Sequence, residues 1–149
     1  CSEQLSRDSE AIMQINSIGS KAFSTFGISA SGLGVHKLWL DAVADNVANI
    51  NTIRATNQPA FQERFVLVEN VEGGGVRTAG AAFGNAEGIL VYNPNHALAD
   101  ENGMVRQPDI NLSDQMVYMI EAQRAYQANA AVYERARAAY EAMLTIGRG

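Results

Sequence analysis

Cysteine is nearly missing. The one residue is Cys1, so no internal disulfide holds the fold together. Histidine is almost as scarce, with His36 and His96 far apart in the sequence. Two separated histidines do not make the ligand spacing of a metal site, and no metal or cofactor is expected. Positive charge is in deficit: 11 Lys and Arg against 16 Asp and Glu leave a net charge of −5. A nucleic-acid binder needs a basic face to displace counterions, so nucleic acid is excluded as the main partner. Nowhere do 18 apolar residues follow one another, which removes a transmembrane helix. No Lys/Arg-led apolar segment opens the sequence, so a cleaved secretory signal is not expected.

Catalytic signatures are missing too. The nucleophile elbow G-x-S-x-G does not occur. The GGG at 73–75 is followed by Val76 and leads into no helical pattern, so it reads as a flexible turn and not as a phosphate loop. Asp41 and Asp45 stand four apart on one helix, and a solvent-facing pair is the ordinary reading, ahead of an acid/base pair. His36 falls within a helical packing pattern and His96 in a turn-rich loop. The chain therefore reads as a non-enzyme with no small-molecule substrate.

Long amphipathic patterns are what the sequence does contain. In residues 22–52, Leu33, Leu40 and Val47 stand seven apart, as do His36, Val43 and Ile50, which predicts an N-terminal helix with a heptad seam. Ser29, Ser31, Gly32 and Gly34 make its first turns small and weakly helical. Residues 112–149 carry the stronger pattern. Leu112, Met119, Tyr126, Tyr133 and Tyr140 recur every seven residues, and Met116, Gln123, Ala130, Arg137 and Leu144 form a second, more polar row. Asn111 or Ser113 suits the N-cap, Asp114 suits the first turn, and Gly147 and Gly149 suit the end. About 34 residues at 1.5 Å each make a helix on the order of 50 Å, longer than the core of a chain this size. Such a helix must project or pack lengthwise on a partner.

The stretch between differs. Residues 61–69 (FQERFVLVE), 76–83 (VRTAGAAF) and 88–93 (GILVYN) read as strands, and Asn102-Gly103 as a tight turn. Residues 1–21 are polar with scattered apolar positions and read as a disordered or non-native extension. The fold expected is α+β: N- and C-terminal helices in a coiled-coil-like pair, with a small β-rich domain at 53–111 inserted between them. Asn46, Asn49 and Asn51 crowd the end of the first helix. Fraying explains Asn51 well, but Asn46 and Asn49 lie inside the apolar pattern, where an amide can fix helix register.

Two segments resemble known signatures. Asp45-Asn46-Val47-Ala48-Asn49-Ile50-Asn51-Thr52 is similar to the N-terminal motif of the bacterial flagellar axial proteins, in which a helix ends in D/N-N-[LIV]-A-N-x-x-T. Arg124, Tyr126 and Asn129 resemble the Arg-x-Tyr-x-x-Asn core of their C-terminal helix. The segment 91–117, with His96, Asp100, Gly103 and Pro108, is similar to the proximal-rod members of the flagellar basal-body rod family. It departs from them at Met104, where an aromatic is common, and at Ala97, where proline is common.

The resemblance implies a structural subunit of the flagellar rod in the cell envelope, exported by the flagellar type III apparatus and stacked helically with itself and other rod proteins into a hollow shaft. It implies that the paired terminal helices line the tube while the β-rich part faces outward. The assembly residues it points to are Leu33, Leu40, Val43, Asn46, Val47, Asn49 and Ile50 on the first helix. On the second they are Met116, Met119, Arg124, Tyr126, Asn129, Tyr133 and Tyr140. Another rod or hook-type relative, or a soluble coiled-coil adaptor or export chaperone, are the alternatives. The adaptor reading does not call for a strand-rich middle.

Overall fold

The structure, a computed structural model, describes residues 2–147. Two helices frame it. Helix α1 runs Ser2–Asn49; strands β1 (Arg64–Asn70), β2 (Val76–Phe83), β3 (Ile89–Tyr92) and β4 (Met104–Gln107) follow; helix α2 runs Leu112–Ile146. The architecture is the expected α+β arrangement, with the strands inserted between paired helices.

One boundary differs from expectation. Residues 2–21 continue α1 and do not form a separate extension. Serine is its commonest residue, but it has no proline and holds one glycine, so nothing in it stops a helix. Cys1 and Gly149 lie outside the described residues. At the other end α1 stops at Asn49, whose amide turns back onto its own helix: Nδ2 donates to the Asp45 carbonyl at 2.9 Å, and Thr52 Oγ1 donates to Oδ1 at 3.2 Å. Helix α2 starts at Asn111, whose Oδ1 accepts the Ser113 N–H at 2.8 Å. It closes at Gly147, whose N–H bonds the Met143 carbonyl at 3.1 Å.

The helices run antiparallel. Asn46 meets Gln115, a Cβ on Gly32 would meet Asn129, and Phe23 meets Tyr140, so positions descend in α1 as they ascend in α2. The seam rows sit one residue earlier than Leu33, Leu40 and Val47 in α1, and one residue earlier than the second, more polar row in α2. In α1, Ser29, Gly32, Val35, Ala42, Val43 and Asn46 are buried, while Leu33, Leu40 and Val47 are half-buried on the flank. In α2 the row is Gln115, Ala122, Asn129, Ala136 and Met143; Met116, Gln123, Arg137 and Leu144 are exposed. Small side chains and amides let two helix backbones approach closely, and the larger apolar residues are displaced to either side. A Cβ on Gly32 would stand 2.7 Å from Asn129 Nδ2, which shows how little room the seam leaves.

Strands β1 and β2 form an antiparallel hairpin, with Arg64 opposite Phe83 and Asn70 opposite Val76, and a bulge between Leu67 and Val68. Its turn uses Gly73, Gly74 and Gly75, all at positive φ, a conformation that side chains resist. The hairpin lies along α1 and is pinned at both ends. At the tip, Ser31 Oγ accepts the Val76 N–H at 3.1 Å. At the root, Asn46 takes the backbone of Arg64. Ser31 and Asn46 are fifteen residues apart, about 22 Å of helix, and seven residues of strand span about 23 Å, so one hairpin fits between the two pins.

Strands β3 and β4 make a second, separate antiparallel pair. Residues 104–107, which the sequence does not mark as a strand, are one because Ile89–Tyr92 supplies a partner that four residues alone do not announce. This pair packs on the irregular segment 53–63 and not on a helix. Arg54 and Arg106 exchange backbone hydrogen bonds at 2.9 Å, Ala60 N–H reaches the Ala86 carbonyl at 2.8 Å, and Val105 is fully buried. Gly88, at φ +57, comes so close that a Cβ there would overlap the Gln107 carbonyl oxygen. In the connecting loop, Asp100 accepts the Met104 and Asn102 N–H groups at 2.9 Å, led by Met104, and these hold its carboxyl below its usual range.

Candidate assembly interface

The buried interior is thin. Among the described residues the largest fully buried side chains are Gln115, Val43, Val105 and Asn46; none is aromatic or a leucine. The large apolar residues are on the surface instead. Leu112, Met116 and Ile120 stand four apart on the outer face of α2, at 47%, 58% and 49% exposure, and make one continuous stripe beside Val117. Phe65, Leu67 and Phe83 are exposed on the first hairpin, and Leu90 and Tyr92 on the second. An exposed apolar surface of this kind marks an interaction face.

A second such face opens toward the α2 C-terminus. Phe23 and Tyr140 meet edge-on with ring centroids 5.3 Å apart, and Phe26 meets Tyr133 at 5.2 Å. The rings border an open groove of about 730 Å³ between the two helices, completed by Gly27, Ala30 and Leu144. Phe23 remains 61% exposed. Arg137 and Glu141 edge the same groove as an exposed ion pair at 2.9 Å, and the carboxylate pushes the guanidinium pKa up.

The expected assembly residues divide into groups. Met116, Arg124, Tyr126 and Tyr133 are exposed, Leu33, Leu40, Val47, Ile50, Met119 and Tyr140 are half-buried beside the seam, and Asn129 is half-buried within it. Val43 and Asn46 are covered inside the chain, at 2% and 1% exposure. Asn49 is half-buried and caps its own helix. The structure therefore uses the three asparagines locally: Asn46 inside the fold, Asn49 at the helix end, Asn51 exposed in the turn that follows.

Asn46 is the centre of a buried polar junction. Its Oδ1 accepts the Arg64 N–H at 2.8 Å, and its Nδ2 donates to the Arg64 carbonyl at 3.1 Å and to Gln115 Oε1 at 3.0 Å. Gln115 Nε2 in turn donates to Glu63 Oε1 at 2.6 Å. Beside it, in solvent, Arg64 and Asp45 form an ion pair at 2.7 Å. Gln115 and Glu63 were not singled out from sequence, and Ser31 and Gly32 only as weakly helical positions. Gln115 is the first member of a row at seven-residue spacing, Gln115, Ala122, Asn129 and Ala136, made of small and amide residues that an apolar count passes over.

Comparison with known proteins gives the family. Residues 101–146, which hold β4 and all of α2, match the model of the flagellar basal body rod FlgEFG protein C-terminal domain. The flagellar basal-body rod protein FlgC of Borreliella burgdorferi is 30% identical over 149 aligned positions, covering 85% of this chain and 98% of that protein. FlgC of Salmonella typhimurium is 31% identical over 128 positions, covering 83% and 96%. The chain belongs to the FlgC family of flagellar basal-body rod proteins. FlgC of Bacillus subtilis, at 25% identity, covers 85% of the chain and 99% of its own length. The thin interior and exposed apolar stripes are thus features of a FlgC-family chain. None of its described helices is long and apolar enough to cross a membrane.

Proposed function

We propose that this chain is a structural, non-enzymatic subunit of the flagellar basal-body rod, standing in its proximal part and stacking helically with copies of itself and other rod proteins around a hollow axis. The observation that carries the reading is the placement of the apolar surface. Two long helices bury small and amide residues against each other and leave Leu112, Met116, Ile120, Phe23 and Tyr133 outside. A head-to-tail contact through such faces, with a rotation that does not close, builds a helical filament. The half-buried flank residues Leu33, Leu40, Val47, Ile50, Met119 and Tyr140, with Arg124 and Tyr126, border these faces. Val43, Asn46 and Asn129 support them from inside.

The subunit acts in the cell envelope and reaches it through the flagellar type III apparatus. That reading rests on the family resemblance. The experiment is co-sedimentation: detergent-extracted basal bodies are pelleted and the chain is quantified against other rod components. The expected result is a fixed proportion in the pellet. A chain that stays soluble while rods pellet without it overturns the proposal and favours an adaptor or export chaperone.

A further inference from the structure

We infer that Asn46, Gln115 and Glu63 form a directional latch through which the docking of α2 holds the root of the β1–β2 hairpin on α1. The inference rests on the fold of the single chain and is independent of assembly.

The reasoning begins with strand geometry. The Glu63 carbonyl accepts the Gly84 N–H at 2.8 Å, so that residue faces the partner strand. Backbone groups alternate sides along a strand, so the N–H and C=O of Arg64 point away from β2. They would be an open edge. Asn46 covers it: its amide offers one acceptor and one donor, as a neighbouring peptide would, at 2.8 Å and 3.1 Å.

The second amide hydrogen of Asn46 then decides what else must be present. It points to Gln115 Oε1 on α2, at a position 1% exposed, where water does not replace a missing partner. Gln115 can present its oxygen only if its nitrogen has an acceptor elsewhere. Glu63 supplies that acceptor, and an ionised carboxylate can only accept. Each amide in the chain is therefore held in one orientation, from Glu63 through Gln115 and Asn46 to Arg64, with both Asn46 amide hydrogens matched. The network also closes on itself in sequence, because Glu63 and Arg64 are adjacent. Without α2 the clamp loses the group that orients it, while the Ser31 pin at the tip is untouched.

The test is amide exchange by NMR on the full chain. Gln115→Leu removes the relay without touching the hairpin. The expected result is exchange at the Arg64 amide faster by about tenfold, with the Val76 amide near its wild-type rate. Glu63→Gln, which keeps the shape but ends the acceptor-only constraint, is expected to give a smaller rise at the same place. It also serves if Gln115→Leu does not fold. Phe26→Ala loosens the same helix pair some twenty residues away, about 30 Å, and is expected to leave Arg64 protected. An unchanged Arg64 rate in Gln115→Leu, an equal rise at root and tip in Glu63→Gln, or a rise in Phe26→Ala matching that in Gln115→Leu each overturns the inference.

Discussion

The two ends of the helix pair are built on opposite terms. Where α1 ends and α2 begins, buried amides are paired within the chain: Asn46 and Gln115 bond each other, half-buried Glu63 and the backbone of Arg64. Where α2 ends, the contact is aromatic and open, and Phe23 keeps most of its surface in solvent. One end is complete within the chain, and the other presents apolar surface that a neighbour can cover. A subunit of a filament needs both: a fixed pose for its inserted domain, and faces whose burial waits for assembly.

That contrast can be broken at the closed end first. Asn46→Ala removes three hydrogen bonds at a buried site and strands the Arg64 N–H and the Gln115 amide. It is expected to destabilise the monomer by about 3 kcal/mol, read as a lower urea midpoint with unchanged slope. A loss below about 1 kcal/mol means that the junction is not what holds that end.

The open faces are predicted to behave the other way. Replacing Leu112, Met116 and Ile120 together with serine is expected to lower monomer stability by about 2 kcal/mol, less than Asn46→Ala although three large side chains are removed, since each is already about half in solvent. The same triple variant is expected to be absent from pelleted basal bodies. Wild-type incorporation removes the α2 stripe from the interface. The smallest effect belongs to the ion pair beside the junction. Arg64 and Asp45 are 43% and 51% exposed, so Asp45→Ala should cost under about 1 kcal/mol, and less at high salt. A loss as large as that of Asn46→Ala would place the strength of the closed end in charge and not in matched amides.

Much of this layout was legible beforehand. Heptad spacing announced both helices, and the hairpin β2 boundaries at 76–83 followed from β-branched content and the glycine turn. What escaped was the seam itself. Sequence patterning ranks Leu33 and Val47 above Gly32 and Asn46 because it weighs transfer to an apolar medium. The fold chose the second row because close backbone approach and amide pairing stabilise more there than additional methylenes. The boundary at residue 21 differs for a related reason: residues 2–21 lack a strong apolar pattern, yet with no proline among them α1 runs through.

The sequence by itself determined the α+β class, the two long helices, the β-rich insertion and the rod family, since each depends on local periodicity or on contiguous motifs. Only the tertiary structure decided what the asparagines do. Asn46 meets Arg64 across eighteen residues and Gln115 across sixty-nine, and a hydrogen bond between groups so far apart in the chain has no local signature. An amide's role is set by whichever donor and acceptor the fold brings to it, and that pairing exists only once α1, α2 and the hairpin share one place.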